Sequence, residues 1–160
     1  MNKLIDAIDQ VIEENNLPHE WSKEISTELK QLKHKKESKK RVDLRSYPFV
    51  TIDGKDAKDF DDAVFCKEES NGFMLQVAIA DVADIVKQGT ELDFEALKRG
   101  TSIYFPKKVI PMLPEEISNN LCSLVPKEDR NVLVCKIIFN KEGVINSYEF
   151  NEAIINSNKR

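Results

Sequence analysis

The sequence predicts an α+β protein in which an N-terminal helical arm precedes an incomplete mixed β-sheet with short helices. Up to about residue 32, apolar residues recur at helical spacing, whereas beyond about residue 48 they fall in short runs typical of strands. The chain has 160 residues and is 41% hydrophobic, which is enough to bury a core. We therefore exclude a wholly disordered chain.

Two amphipathic helices make up the predicted arm. The first has aliphatic residues on one face and acidic residues on the other, and the run 15–18 (Asn-Asn-Leu-Pro) ends it. Its aliphatic face consists of Leu4, Ile5, Ile8, Val11 and Ile12. The second helix is indicated by apolar residues at the same spacing, namely Trp21, Ile25, Leu29 and Leu32.

A strongly basic segment, residues 30–45, follows these helices. It holds eight Lys or Arg residues against Glu37 and Asp43, although the whole chain has a net charge of −4. Such segregation is typical of a solvated linker, and a surface that contacts phosphates is the functional alternative.

The rest of the chain is predicted to form two hairpins, two single helices and two further strands. A turn at Asn71-Gly72 and the run 140–143 are the expected hairpin connections. Gly100 is the expected end of one helix, and Pro114 is the expected start of the other. Strands are expected at 48–53, 63–66, 73–80, 102–105, 131–139 and 144–155, and helices at 91–100 and 114–121.

The cysteines indicate a reducing compartment. Cys66, Cys122 and Cys135 are odd in number, widely spaced and set among apolar residues, which favours free thiols over a disulfide framework or a zinc site. The N-terminus carries acidic residues throughout and lacks the pattern of a signal peptide. We therefore expect a cytoplasmic protein without a membrane partner.

The most informative stretch is an acidic one between Thr51 and Ala63. Unit charges about 4 Å apart repel by about 4 kcal/mol at an effective dielectric near 20, so a folded cluster has to be neutralised. A divalent cation such as Mg²⁺ or Mn²⁺ suits ligands that are all oxygen. A calcium loop of the EF-hand type is excluded, because Lys58 and Val64 stand where Gly and Glu are required. The acidic residues are Asp53, Asp56, Asp59, Asp61 and Asp62.

Two interpretations of this stretch stay open on spacing alone. In an extended segment Asp59 and Asp61 share one face, and a reversal at Gly54 would return Asp53 to them, as a metal-dependent phosphoryl-transfer site requires. The alternative is a solvated acidic turn neutralised by nearby lysines, namely Lys55 and Lys58.

The run at 41–65 closely resembles the start of the catalytic domain of the ribonuclease II and ribonuclease R family, and is nearest to its ribonuclease R branch. The similarity continues through 77–86, 92–124 and 132–150. It implies a hydrolytic 3′→5′ exoribonuclease that uses Mg²⁺, with Mn²⁺ as an alternative. The implied substrate is the 3′ end of single-stranded RNA, which is released as nucleoside 5′-monophosphates.

The resemblance also implies roles for individual residues. Asp53, Asp59, Asp61 and Asp62 match the metal-binding carboxylates, and Asp61 matches the aspartate most directly tied to catalysis. Tyr104 matches an aromatic residue that stacks on a base near the 3′ end. Without the resemblance, Tyr104 would be interpreted as a half-buried strand residue.

The family pattern further implies a helical arm and basic linker over 1–45 and the N-terminal part of the catalytic domain over 46–160. The family's later basic catalytic residues, an arginine among them, have no counterpart here, so the chain is expected to be a fragment whose missing half is a possible partner. A non-catalytic RNA-binding or regulatory remnant is the alternative function. Asp81 is expected to brace the fold, Arg130 to contact RNA or a carboxylate, and Ser123 to cap a helix end.

Overall fold

The computed structural model describes residues 2–32 and 41–160. Most of the predicted basic linker, residues 33–40, lies outside the described residues. The chain divides into two compact units. The first combines the described part of Met1–Lys35 with Val86–Glu115, and the second combines the described part of Lys36–Ile85 with Glu116–Arg160.

The described residues form four α-helices, seven strands and one π-helical segment. The helices are α1 (Asn2–Glu14), α2 (Lys23–Leu32), α3 (Val82–Ile85) and α4 (Glu91–Arg99), and the π-helical segment is Ile117–Leu121. The strands are β1 (Val42–Asp43), β2 (Asp62–Glu69), β3 (Gly72–Ala80), β4 (Ile103–Phe105), β5 (Lys108–Ile110), β6 (Asp129–Phe139) and β7 (Ile145–Asn156). None of the described helices is long and apolar enough to cross a lipid bilayer.

The first unit contains α1, α2, α4 and the antiparallel hairpin β4–β5. The apolar face of α1 buries Ile8 and Ile12 against Ile110 of the hairpin. Helix α4 begins at the N-cap Thr90, whose hydroxyl accepts a hydrogen bond from the Asp93 amide, and it ends at Gly100 with φ 71°. Both predicted arm helices and the predicted helix at 91–100 are therefore confirmed.

The second unit is built on a mixed five-stranded sheet of order β1-β7-β6-β3-β2, in which β1 is parallel to β7 and the other pairs are antiparallel. Strands β2 and β3 form the first predicted hairpin, with a register running from Asp62 opposite Ile79 to Glu69 opposite Gly72. Gly72 has φ 146°, and a Cβ there would collide with the carbonyl oxygen of Phe139, so this turn requires glycine.

The two faces of this sheet differ in burial. The alternation of strand side chains places small and branched residues on the core face and larger apolar ones on the other face. The core face includes Ala63, Ala78, Val132, Val134, Ala153 and Ile155, all at 1% exposure or less. The opposite face includes Phe73, Ile79, Leu133, Tyr148 and Phe150, all of them exposed.

The α+β class and both predicted hairpins are confirmed, whereas one local prediction, the strand at 48–53, is wrong. The segment 48–53 is not a strand: within it, Val50 forms isolated bridges with Val64 and Lys159. Pro48 lacks an amide donor, so it contributes less to a strand ladder. The helix expected from Pro114 is present at residues 115–121, but most of it is the π-helical segment, in which the Cys122 amide donates to Ile117 O over 2.9 Å.

Candidate active site

The aspartate loop, residues 53–62, lies in the second unit between the Val50 bridge and β2. Val50 and Val64 exchange two backbone hydrogen bonds of 3.0 and 2.9 Å, which brings the two ends of the loop together. A turn closes within the loop, because the Ala57 amide donates to Gly54 O over 3.0 Å. The chain thus reverses at Gly54, which is where the sequence analysis expected a reversal.

The middle of the loop is anchored at Phe60, whose side chain is 6% exposed. The Phe60 amide donates to Ser123 Oγ over 3.0 Å, and its carbonyl accepts from the Leu124 amide over 2.9 Å. The next carbonyl, that of Asp61, accepts from the Ala80 amide of β3 over 2.9 Å. Because Phe60 points into the core, the aspartates on either side of it face away from the core.

The four predicted aspartates act on one another electrostatically. Partial burial raises the pKa of Asp61, and the negative charges of Asp59, Asp62 and Asp53 raise that pKa further. The sequence motif therefore brings all four carboxylates into one electrostatic neighbourhood. This is the arrangement that a bound cation would stabilise.

The lysines of the loop do not neutralise it by ion pairing. In the described part of the chain, neither Lys55 nor Lys58 forms an ion pair with the aspartates of the loop. Asp53 Oδ2 is buried and has no hydrogen-bond partner. A buried carboxylate oxygen without a partner is costly, so the acidic turn held by its own lysines is not the arrangement that the structure shows.

The donor chemistry of the loop fits a hard divalent cation, because every candidate ligand is a carboxylate oxygen. Asp53 Oδ2 offers an unpaired buried oxygen to such an ion. Among residues 2–32 and 41–160, however, no three acidic, Cys or His side chains are already drawn together at ligating positions. Binding would therefore require the carboxylates to close on the ion.

A second acidic cluster in the same unit is neutralised within the protein. The Arg41 guanidinium lies 2.6 Å from Asp81 and 3.4 Å from Asp84, and the side chains of all three are almost completely buried. Asp81 Oδ1 also accepts from the Asp84 amide at the start of α3, and Asn131 donates to Asp84 Oδ2. The prediction that Asp81 braces the fold is confirmed.

Tyr104 belongs to the first unit, where it lies on β4 opposite Val109 of β5. Its side chain is 69% exposed. The structure thus does not show the half-buried aromatic that the strand pattern alone suggested. An exposed ring is available for stacking, and the role of Tyr104 stays a prediction.

Sequence reasoning missed the part that Ser123 and Arg130 play around the loop. Ser123 was expected to cap a helix end, but its hydroxyl bonds to residues 58 and 60 instead. Arg130 pairs with Glu128 and donates to nearby carbonyls, so the structure shows the carboxylate contact, and an RNA contact stays a prediction. The signal was a buried polar residue directly after an apolar run, which spacing alone does not connect to a loop more than 60 residues earlier.

The RNB domain matches residues 41–160, a range that contains the whole aspartate loop, Tyr104 and the second acidic cluster around Arg41. The chain belongs to the RNB-domain family. Ribonuclease R of Escherichia coli is 48% identical over 158 residues, which cover 96% of this chain and 19% of the relative. Ribonuclease R of Buchnera aphidicola is 48% identical over 160 residues, covering 96% of this chain and 22% of the relative. This RNB-domain chain therefore spans about a fifth of the length of these curated relatives.

Solved structures of ribonuclease R show the same fold. Mycoplasma genitalium RNase R in complex with double-stranded RNA has a TM-score of 0.85 and 38% identity, covering 96% of this chain and 28% of that chain. Its complex with ribose-methylated single-stranded RNA has a TM-score of 0.87 and 37% identity, covering 96% of this chain and 24% of that chain. The resemblance to the ribonuclease II and ribonuclease R family is confirmed. Yeast Ssd1, a pseudonuclease, shares the fold at 21% identity and a TM-score of 0.68, over 82% of this chain and 16% of that chain.

Proposed function

We propose that this chain supplies the metal-binding aspartates and a base-stacking tyrosine of a hydrolytic 3′→5′ exoribonuclease. The proposed substrate is single-stranded RNA, and the products are nucleoside 5′-monophosphates. One observation carries the proposal: four mutually repelling aspartates, one with a buried unpaired oxygen, lie in a chain that is 48% identical to ribonuclease R.

The proposed cofactor is Mg²⁺, with Mn²⁺ as the alternative. A bound divalent cation would supply charge stabilisation at a phosphodiester and a water of lowered pKa. In this chain Asp53, Asp59, Asp61 and Asp62 would hold it. The raised pKa of Asp61 would be relieved by the cation's charge, and Asp53 Oδ2 would gain the partner that it lacks.

The charge of the loop also bears on how RNA is bound. Uncompensated carboxylates repel phosphates, so RNA affinity would depend on the divalent cation and on contacts elsewhere. Tyr104 would provide one such contact by stacking on a base, an interaction that needs no particular sequence. This assignment is supported by the exposure of its ring and by the RNA-bound structures of Mycoplasma genitalium RNase R.

Calorimetric titration of this chain with MgCl₂ and MnCl₂ tests the metal site. We expect binding by the wild type and its loss in the double variant Asp61→Asn, Asp62→Asn. The matched control is Asp56→Asn, Glu68→Gln, which removes two exposed carboxylates without touching the proposed ligands. Equal binding by both double variants would contradict the metal assignment.

Activity is best tested in a chimera in which this chain replaces the matching 158 residues of Escherichia coli ribonuclease R. We expect stepwise shortening of a 5′-labelled oligoribonucleotide from its 3′ end. Asp61→Asn should lower the rate by at least about 100-fold, because charge stabilisation in a transition state is worth several kcal/mol. Asp56→Asn should leave the rate unchanged. An inactive wild-type chimera that still binds RNA would favour the non-catalytic remnant.

The role of Tyr104 is tested by single-stranded RNA affinity of the same chimera, measured by fluorescence anisotropy. Tyr104→Ala should weaken binding by about 5-fold to 150-fold, which corresponds to the loss of one base stack. Tyr104→Phe should bind like the wild type because the ring remains. Tyr148→Ala is a matched control, since Tyr148 is equally exposed, at 68%, on β7. Equal effects of Tyr104→Ala and Tyr148→Ala would contradict the stacking role.

A further inference from the structure

Ser123 is a fully buried polar residue whose hydroxyl serves the aspartate loop rather than its own segment. We propose that Ser123, held by Arg130, is a positioning residue that fixes Asp59 and Asp61 in the orientation needed to bind a divalent cation. This inference rests on the proposed metal site. It adds two residues that neither the sequence motif nor the family match assigns to that site.

The two hydrogen bonds of the Ser123 hydroxyl enclose Asp59. Ser123 Oγ donates to Lys58 O over 2.8 Å and accepts from the Phe60 amide over 3.0 Å. The residue between these two backbone groups is Asp59. One buried hydroxyl thus fixes the peptide groups on both sides of Asp59, and with them the direction of its side chain.

The neighbouring residue extends this control to Asp61. The Leu124 amide donates to Phe60 O over 2.9 Å, and Leu124 is fully buried. Phe60 therefore has both its backbone groups bound by Ser123 and Leu124, and Asp61 follows it directly. Since Asp61 O is also bound by the Ala80 amide, the backbone of Asp59, Phe60 and Asp61 is fixed at several points.

Arg130 holds the segment that carries Ser123. Its Nε donates to Ser123 O over 2.9 Å, and its Nη2 donates to Asn120 O over 3.0 Å. Its Nη1 donates to Asp129 O and to Glu128 Oε2 over 2.9 and 3.0 Å. With 12% of its side chain exposed and its three guanidinium nitrogens all donating hydrogen bonds within residues 120–130, Arg130 fixes this turn.

The test compares Ser123→Ala with Ser157→Ala in the whole chain. Ser157 is a matched control, because it is equally buried in the same unit but its hydroxyl makes only a 3.4 Å contact with Lys159 O. Two quantities are measured: Mn²⁺ affinity, from the loss of the free-ion electron paramagnetic resonance signal, and hydrogen exchange of the Phe60 amide without metal. Thermal unfolding is recorded for each variant.

We expect Ser123→Ala to bind Mn²⁺ about 10-fold to 100-fold more weakly, as is typical when a group that orients a ligand is lost. The Phe60 amide should exchange faster in this variant, whereas Ser157→Ala should match the wild type in both measurements. Unchanged Mn²⁺ affinity in Ser123→Ala would overturn the inference, because it would leave Ser123 with a structural role only.

A second variant keeps the inference testable if Ser123→Ala does not fold. Arg130→Lys keeps the charge but loses the planar donor set, so Mn²⁺ affinity should fall several-fold. Wild-type affinity in Arg130→Lys would then overturn the inference. If the wild-type chain itself binds no Mn²⁺, the metal proposal fails. Independently of that result, an unchanged hydrogen-exchange rate of the Phe60 amide in the metal-free variants would overturn the positioning role.

Discussion

Two acidic clusters in the same unit differ in how their negative charge is balanced. Asp81 and Asp84 surround the Arg41 guanidinium, whose side chain is only 2% exposed. The aspartate loop has no such ion pair among the residues that the structure describes, and Asp53 Oδ2 is left without a partner. The fold can supply a buried arginine where carboxylates serve stability. The two clusters therefore differ in whether an ion pair among the described residues balances their carboxylates, and the aspartate loop is where we propose that a divalent cation binds.

Cys122 lies within the electrostatic reach of both clusters. Burial raises the pKa of its thiol to about 12, and the charges of Asp61 and Asp81 contribute in the same direction. The thiol is therefore protonated and unreactive at neutral pH. Cys66, Cys122 and Cys135 are all free thiols in this structure.

The largest expected effect on stability comes from removing the buried guanidinium of Arg41. Arg41→Met should lower the free energy of unfolding by about 3–5 kcal/mol, because it leaves the buried Asp81 carboxylate without the guanidinium that it pairs with. Arg45→Met is the control, since Arg45 pairs with Asp43 and Asp129 at an exposed site, where ion pairs contribute little, so its loss of stability should be far smaller. Urea unfolding of both variants measures the difference. Similar losses in the two variants would show that the Arg41 cluster is no more important than a surface pair.

An Asp→Asn substitution should change the free energy of unfolding in opposite directions in the two clusters. Asp81→Asn should destabilise the protein by about 1.5–3 kcal/mol, because it weakens charge-assisted hydrogen bonds to Arg41. Asp61→Asn should raise the free energy of unfolding by up to about 0.5 kcal/mol, since it removes repulsion that solvent partly screens. Urea unfolding in metal-free buffer checks both signs. A clear loss of stability in Asp61→Asn would mean that the loop is already compensated.

Added Mg²⁺ should stabilise the folded chain only where the aspartates of the loop are intact. A cation that binds only the folded chain stabilises it by about 1.4 kcal/mol at ten times its dissociation constant. That corresponds to a rise in melting temperature of about 3–6 °C for a chain of this size. We expect this rise in the wild type and in Asp81→Asn, and none in the Asp61→Asn, Asp62→Asn variant. A rise of the same size in all three would indicate unspecific screening.

The smallest expected effect concerns the exposed pair at Arg45. Hydrogen bonds from the Arg45 side chain and backbone hold the pKa of Asp43 at about 2, against an ordinary value of 3.8. Since folding lowers the pKa of Asp43, its ionised carboxyl stabilises the folded state fully above about pH 4. This stabilisation disappears as the pH falls toward 2. NMR titration of the Asp43 carboxyl should show that Arg45→Met raises this pKa toward the ordinary value, although the backbone hydrogen bond from residue 45 keeps it below that value. An unchanged pKa in that variant would contradict the assigned cause.

The sequence by itself determined the elements whose signals are local. Alternating apolar residues and glycine-containing turns predicted both long hairpins, and Gly100 predicted the end of α4. The aspartate loop was likewise recognisable, because its residues lie within one short motif. These signals are readable because hydrogen bonds and side-chain periodicity within a strand or helix depend on residues only a few positions apart.

Only the tertiary structure decided which distant groups complete these elements. Strand β1 has two residues and pairs in parallel with β7, more than 100 positions later. A strand this short has no side-chain periodicity from which it could be predicted. Arg41 became the buried partner of Asp81, and Ser123 became the anchor of Phe60, across 40 and 63 residues. The burial of Asp53 Oδ2 without a hydrogen-bond partner is likewise a result of the tertiary structure. Whether a polar group is buried, and what it meets there, depends on the packing of the whole unit, which a motif does not contain.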